Sequence, residues 1–200
     1  MRTRPKSPLR SDALDEMHRN TTPSLIEDIE AGQKAPRHRD VAGIRCVLTT
    51  FREWSIIGAM LATDKPVAEI HKLYKEHVPN VMRLTTKTAR SAQLAKLAAD
   101  IFKDDGFDKV KTGIGIVATR WLQETPIIFK ADAGQAHGRI ASFVPGFGVK
   151  LGDAVQASCS AYPFFWKKTF TIQGTETVLL DGRLCANNPT LYAIADAELA

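Results

Sequence analysis

The spacing of the apolar residues changes near Gly106, and this change constrains the fold more than any other feature of the chain. Before it, residues 88–103 carry apolar side chains three and four positions apart, the pattern of an amphipathic helix. These side chains are Leu94, Leu97, Ala98, Ile101 and Phe102. After it, residues 112–119 and 126–130 are short apolar runs that predict two buried strands, joined as a hairpin. We expect the apolar face of this helix to pack against the sheet that the two strands form.

Further helices and strands are predicted on both sides of this change. Residues 64–66 have the composition of a helix start. Asp153 is expected to cap a short helix. Residues 169–172 and 177–180 predict a second hairpin, and residues 188–189, an Asn-Pro pair, predict the start of the last helix. Helices that alternate with apolar strands are typical of an α/β layered fold.

The composition divides the chain into a polar arm and one folded domain. Residues 1–40 contain four prolines and few apolar residues, so we expect a flexible arm that buries too little apolar surface to offset the entropy of ordering. Residues 41–200 are expected to form a single domain, because a chain of 200 residues is long enough for one substantial core.

Composition and charge exclude several functional classes. A hydrophobic content of 44% and a charged content of 24% are ordinary for soluble globular proteins. The net charge is +5, but basic and acidic residues are mixed along the chain, so we expect no nucleic-acid partner. No apolar run is long enough for a spanning helix, and no apolar stretch of a secretory signal follows the basic N-terminus. The three cysteines lack the spacing of a metal site and are expected to be reduced, in a cytoplasmic protein.

Asp181 and Gly182 stand where an apolar strand stops and a helix is about to begin. In open α/β sheets ligands bind at this edge, so a carboxylate here is a candidate catalytic group. Gly182 permits a sharp turn and a close approach by another backbone segment. The other interpretation is an ordinary Asp-Gly turn, and the two residues alone do not decide between the two.

A longer pattern around these residues resembles the C-terminal half of the patatin-like phospholipase domain. In that family a helix of small residues precedes a β-hairpin, and an Asp-Gly pair then precedes Asn-Asn-Pro. The matching residues are Asp153, Ala154, Ala157, Ser158, Ala161, Pro163, Phe164, Asp181, Gly182, Asn187, Asn188 and Pro189. The resemblance covers residues 112–197 and, less fully, residues 57–75. It implies a layered α/β patatin-like sheet flanked by helices and truncated in its N-terminal half.

The resemblance also implies an activity, that of a lipid acyl hydrolase which cleaves the ester bonds of membrane phospholipids with a Ser-Asp dyad. It implies no cofactor and no metal, and membrane contact of a peripheral kind. Asp181 is the base that the resemblance assigns, because it matches the Asp-Gly motif of the family. Such a base activates a serine hydroxyl within hydrogen-bond reach, while N–H groups stabilise the negative oxygen that develops. The pattern predicts no oligomeric state.

The nucleophile is less clearly marked, because the chain contains no Gly-x-Ser-x-Gly motif. Alignment on Gly58 places Ile56 at the nucleophile position of the family, while Ser55 lies one residue earlier and Trp54 replaces a small residue. We take Ser55 as the candidate nucleophile. The alternative, a serine that merely precedes a buried helix, stays open.

The candidate oxyanion loop is also reduced. Gly43 and Arg45, after Asp40, match positions of the family motif Asp-Gly-Gly-Gly-x-Arg-Gly. The family places a helix and a strand between this loop and the nucleophile, and the interval before Ser55 leaves no room for them. These departures support a second hypothesis, a catalytically inactive patatin-like remnant that binds only lipid or a protein partner. They predict weak or absent hydrolysis.

Two neighbouring features have open interpretations. Arg183 follows the Asp-Gly pair, where a cationic side chain can hold the carboxylate charged, bind a lipid phosphate, or extend into solvent. Phe164, Phe165 and Trp166 precede two lysines. This combination is typical either of a membrane interface or of a hairpin edge protected by lysines.

Overall fold

The computed structural model describes residues 46–49, 52–136, 139–186 and 188–198. Within these residues the chain forms five β-strands and five α-helices. In chain order they are β1 (Cys46–Thr49), α1 (Arg52–Ala62), α2 (Val67–Met82), α3 (Lys87–Phe102), β2 (Gly113–Arg120), β3 (Thr125–Lys130), α4 (Leu151–Cys159), β4 (Lys168–Ile172), β5 (Thr175–Asp181) and α5 (Thr190–Glu198). The α/β fold class predicted from the sequence is confirmed.

β2 is the central strand of the sheet, which has five strands in the described part of the chain. β3 runs antiparallel along one edge of β2, from Gly115 opposite Lys130 to Arg120 opposite Thr125. The other edge of β2 is shared by two strands. β1 runs parallel to its first half, β5 runs antiparallel to its last residues, and β4 pairs with β5 in turn. Two strands therefore meet end to end along one edge of β2.

The helix of residues 88–103 and both hairpins are present, with ends shifted by one or two residues. The Thr86 hydroxyl accepts a hydrogen bond from the Ala89 N–H at the start of α3, and the helix ends at Phe102, directly before Lys103, whose φ is +50°. In the second hairpin, Gln173 and Gly174 have φ angles of +49° and +78°. Two consecutive positive φ angles are typical of the tight turns that match the twist of paired strands.

The expectation that Asp153 caps α4 is wrong. The helix begins at Leu151, directly after Lys150, and Asp153 lies within its first turn. It begins earlier because Leu151 and Gly152 are buried in the packing of α4 on α3. A Cβ atom on Gly152 would lie 3.4 Å from the Ala98 carbonyl oxygen, so the two helices are already in close contact at this position.

A strand also lies where none was expected. β1 falls between Arg45 and Ser55 and pairs in parallel with residues 113–116 of β2. Its four residues are too few to show an alternating pattern, so the pairing with β2, rather than the local sequence, defines it. β1 provides the strand that precedes α1, and a strand followed by a helix is the arrangement at which α/β sheets hold site residues.

The core lies between the sheet and the helices, and α4 runs through it. Every residue of α4 except Asp153 is buried, and its small side chains let it contact α1, α3 and the sheet together. The largest fully buried side chains are Phe102, Phe129, Phe165, Met60, Ile114, Ile116, Leu151 and Leu179. All of the described residues belong to one compact unit, residues 41–200. The predicted arm of residues 1–40 lies outside the described residues.

Among the described helices, none combines the length and the apolar character that crossing a membrane requires.

Candidate active site

Two strand ends meet beside one another on β2. β1 ends at Thr49, which pairs with Ile116, and β5 ends at Asp181, which pairs with Ala118. Both strands lie on the same edge of β2, because β3 covers the other edge from Gly115 onward. Two residues of a strand span about 6–7 Å. The carboxyl end of β1 and the carboxylate at the end of β5 are therefore neighbours.

The backbone of Asp181 is fixed on both sides by hydrogen bonds. Its N–H donates to the Ser160 carbonyl at 3.1 Å, and its carbonyl accepts from the Thr119 hydroxyl at 2.8 Å. The side chain is half-buried, and Oδ1 accepts from the Arg183 N–H at 2.8 Å. Asp181 is thus held in position at the exposed end of a strand.

Gly182 is required by a close approach between two backbone segments. A Cβ atom at this position would clash with the carbonyl group of Val117 on the neighbouring strand β2. The backbone φ of Gly182 is not in the positive range, so the contact, and not an unusual turn, excludes other residues. This contact brings the chain that follows Asp181 directly onto the centre of the sheet.

Ser55 lies in the first turn of α1 and is fully buried. Its Oγ atom lies 2.7 Å from Oγ of Ser158, which is buried in α4. A serine nucleophile of the elbow type stands at the junction between strand and helix. The structure places Ser55 beyond that junction, inside the helix. Both Ser55 and Asp181 thus contact the C-terminal end of α4, one through Ser158 and the other through Ser160.

Three of the sequence-predicted positions lie outside the described residues. They are Gly43 and Arg45 of the candidate oxyanion loop and Asn187 of the Asn-Asn-Pro motif. The roles of Gly43 and Arg45 stay predictions. In the part of the chain that the structure describes, no group of three or more His, Cys, Asp or Glu side chains is placed to hold a metal ion.

The loop after Asp181 is attached at two further points. The Cys185 Sγ donates to the Glu124 carbonyl at 3.1 Å, which joins the loop to the turn between β2 and β3. Asn188 caps α5, as the sequence predicts, because its Oδ1 accepts from the Thr190 N–H at 3.0 Å. Arg183 itself is exposed, and its backbone N–H, described above, completes the turn at Asp181.

A buried ion pair fixes α5 against the sheet. Lys130 Nζ, at the end of β3, lies 2.5 Å from Asp196 Oδ1, and the Asp196 side chain is only 1% exposed. Gln135 Nε2 donates to the second oxygen of Asp196 at 3.3 Å, and Lys130 Nζ also donates to the Gln135 carbonyl at 3.0 Å. The helix that follows the candidate site is therefore held at both ends.

Sequence reasoning missed two residues that position the site, Ser160 and Thr119, and named Ser158 only as part of the family pattern. Ser158 contacts Ser55, while Ser160 and Thr119 fix the backbone of Asp181. The sequence does mark the helix around Ser158 by its run of small residues, which permits close packing. It contains no local signal for the partner of each hydroxyl, because these contacts join segments that are far apart in the chain.

Comparison with known proteins adds two findings. The sequence model of the family described as patatin-like phospholipase matches residues 55–194. A curated protein of Escherichia coli, described as a "cUMP-AMP-activated phospholipase", is 55% identical over 147 residues. The matched region is 73% of this chain and 46% of that protein, so the chain spans about half the length of the relative.

Proposed function

Because the chain belongs to the patatin-like phospholipase family, we propose that it hydrolyses the acyl ester bonds of membrane phospholipids, with Asp181 as the general base. The observation that carries the proposal is the meeting of β1 and β5 on one edge of β2, which brings Asp181 to the strand that precedes α1. The proposed chemistry uses a serine hydroxyl and a carboxylate, and it assigns no role to a metal or a cofactor.

Asp181 suits the role of base because its backbone cannot move freely. The bonds to Ser160 and Thr119 fix the strand end, and the contact of Gly182 with Val117 fixes the residue that follows. A base held in this way keeps its carboxylate at a constant position relative to the start of α1. Fixed position matters, because misplacement of a catalytic group by about 1 Å can cost roughly a hundredfold in rate.

Ser55 is the proposed nucleophile, and Gly43 and Arg45 are the proposed oxyanion loop. β1 begins opposite Gly113 and reaches the level of Asp181 only at its far end, Thr49. A loop ahead of β1 has to fold back along roughly 10 Å of strand to bring N–H donors to that end. We therefore expect slow turnover.

A second candidate function is a catalytically inactive patatin-like fold that binds lipid or a protein partner. The burial of Ser55 inside α1, with its hydroxyl against Ser158, favours this candidate. A buried hydroxyl cannot reach a substrate ester unless α1 and α4 separate locally.

Hydrolysis of a fluorogenic phospholipid by the purified chain separates the two candidates. The set comprises the unchanged protein, Asp181→Asn, Ser55→Ala and two matched controls, Asp100→Asn and Ser142→Ala, whose side chains are exposed on other surfaces. Slow hydrolysis that is lost in Asp181→Asn and Ser55→Ala, and kept in the controls, supports the dyad. Hydrolysis that survives Asp181→Asn contradicts it, and background rates for the unchanged protein support the inactive fold.

The assay includes cUMP-AMP, because the relative is described as activated by it. We propose that the same nucleotide raises the rate of hydrolysis by this chain. Equal rates with and without cUMP-AMP contradict this part of the proposal and leave the hydrolase assignment to the variants. We further propose a cytoplasmic location with peripheral membrane contact, in keeping with Cys185, whose thiol is not part of a disulfide.

A further inference from the structure

Four aromatic side chains are exposed together on one face of the molecule. One comes from the turn after β2, and three come from the loop between α4 and β4. They lie against three basic side chains, two of which are at the start of α3. This aromatic–basic surface consists of Trp121, Tyr162, Phe164, Trp166, Lys87, Arg90 and Lys167. Each of the four rings is between 39% and 55% exposed. Single exposed apolar side chains are normal on a protein surface, but a contiguous group of them marks an interaction site.

The basic groups link the rings into one continuous surface. Lys167 Nζ lies 3.7 Å from the centre of the Trp121 ring and 4.8 Å from that of Tyr162. Lys87 Nζ lies 4.2 Å from the Tyr162 ring and 3.9 Å from the Trp166 ring. The Arg90 guanidinium stands 5.9 Å from the Phe164 ring. Cations and aromatic faces therefore alternate from Trp121 through Tyr162 to Trp166, and Arg90 with Phe164 forms a further pair beside them.

The loop that carries the rings is anchored to the protein. Phe165 is buried in the core, so Phe164 and Trp166 on either side of it are turned outward. The Trp166 N–H donates to the Ser91 hydroxyl at 2.8 Å, and its indole Nε1 donates to the Thr88 hydroxyl at 3.2 Å. The exposed rings are thus presented by a fixed backbone, and they do not depend on a change of shape to reach a partner.

The surface adjoins the candidate active site. Ser160, whose carbonyl accepts from the Asp181 N–H, precedes Tyr162 by two residues. Trp121 follows Arg120, which pairs with Leu179, two residues before Asp181. The segments that carry Tyr162 and Trp121 therefore each make a backbone contact with β5 within a few residues of these rings.

We propose that the aromatic–basic surface binds the surface of an anionic phospholipid bilayer, and this proposal rests on the proposed function for its choice of partner. Tyr and Trp are suited to the boundary between acyl chains and head groups, because one part of each ring is apolar and the other is polar. Lysine and arginine add attraction to a negatively charged leaflet. Binding there holds the protein at the surface that contains the proposed lipid ester substrates.

Flotation of the full chain with vesicles of ether-linked phospholipids tests the proposal. These lipids contain no acyl ester, so binding is measured whether or not the protein hydrolyses anything. We compare vesicles of neutral phosphatidylcholine with vesicles that also contain phosphatidylglycerol. The test variants are Lys87→Glu/Lys167→Glu and Phe164→Ala; the controls are Lys72→Glu/Lys96→Glu, with the same change in charge, and Ile140→Ala, an exposed apolar residue elsewhere.

We expect binding to the anionic vesicles to fall by about fivefold or more for each lysine changed in the surface, since each basic group near an anionic leaflet contributes a factor of that order. Phe164→Ala is expected to weaken binding as well, and both controls are expected to bind like the unchanged protein. Lys87 is the first residue of α3, where a negative charge is favourable. The substitution Lys87→Glu is therefore not expected to destabilise the helix.

Three outcomes would overturn the proposal. The first is equal binding of the unchanged protein to neutral and anionic vesicles. The second is an equal loss in the control Lys72→Glu/Lys96→Glu, which would show a general effect of charge. The third is a change of oligomeric state in the surface variants, measured by light scattering, which would assign the surface to contact between copies of the chain. Loss of hydrolysis with retained vesicle binding would contradict only the proposed function.

Discussion

Ser55 Oγ and Ser158 Oγ lie 2.7 Å apart, although 103 positions separate the two serines in the chain. The contact joins α1 to α4 within the core, and both side chains are fully buried. A buried hydroxyl needs a hydrogen-bond partner, so each serine satisfies the other. The same contact withholds the candidate nucleophile from solvent.

Replacing both serines of this pair should destabilise the protein by less than the sum of the two single replacements. Ser158→Ala removes a partner of the buried Ser55 hydroxyl, and we expect the free energy of unfolding to fall by about 1–3 kcal/mol. In the double variant Ser55→Ala/Ser158→Ala the loss should be smaller than the sum of the two single losses, by at least about 0.5 kcal/mol. Urea unfolding measures all three, with Ser142→Ala as an exposed control. Strict additivity would mean that the two hydroxyls do not interact.

Gly182→Ala should destabilise the fold, because the added methyl group clashes with the Val117 carbonyl. Forcing an extra group into a packed site costs about 1–3 kcal/mol. Gly134→Ala is the matched control: its Cβ atom would lie 3.5 Å from the nearest atom of Asp132, an ordinary contact distance. Thermal unfolding of the two variants compares them directly. A Gly182→Ala protein as stable as the Gly134→Ala protein would show that the strand end can move aside.

Asp196→Asn should loosen α5. The change leaves the Lys130 ammonium, which is 14% exposed, without the carboxylate 2.5 Å away. Removing one partner of a buried pair costs about 3 kcal/mol or more. The double variant Lys130→Met/Asp196→Leu should recover much of the loss, because it removes both charges together. Hydrogen exchange in α5 and urea unfolding report the effect, and an equally unstable double variant would argue against an uncompensated charge as the cause.

The carboxyl group of Asp104 should titrate below its usual range. The Lys150 side chain holds the pKa of Asp104 down, first through a hydrogen bond of 2.5 Å and then through its positive charge. Carbon-detected NMR titration should show this pKa rising in Lys150→Met and staying low in Lys150→Arg. An unchanged titration curve in Lys150→Met would exclude Lys150 as the cause.

The sign of the accompanying effect on stability follows from the direction of this shift. A lowered pKa in the folded state means that the pair stabilises the protein at neutral pH. This contribution is lost as the pH falls through the lowered pKa of Asp104. Both side chains are largely exposed, so solvent screens the pair and the change in stability should be small.

The elements with a clear local pattern could be predicted from the sequence. The spacing of Leu94, Leu97 and Phe102 defines α3 because one face of that helix is buried. The apolar runs of β2 and β3 define strands because both lie in the core. Asn188 marks the start of α5 because its side chain caps the helix locally. In each case the information lies within a few residues.

What could not be predicted depends on partners far away in the chain. β1 is a strand because β2 pairs with it, and its four residues show no pattern of their own. α4 begins before Asp153 because Leu151 and Gly152 pack on α3. The apolar run before Asp181 correctly placed this residue at a strand end, but nothing in the sequence indicated that Ser55 is turned toward Ser158.

The end-to-end meeting of β1 and β5 on β2 makes the site unequally tolerant of changes in chain length. Successive residues of a strand face opposite sides of the sheet, so the loss or gain of one residue within β5 would turn the Asp181 side chain away from its present side. The turn at Gln173 and Gly174 lies at the far end of the same hairpin. Insertions there would lengthen a solvent loop and leave the carboxylate in place. Length variation among relatives is therefore expected to concentrate in that turn and to be absent from β5.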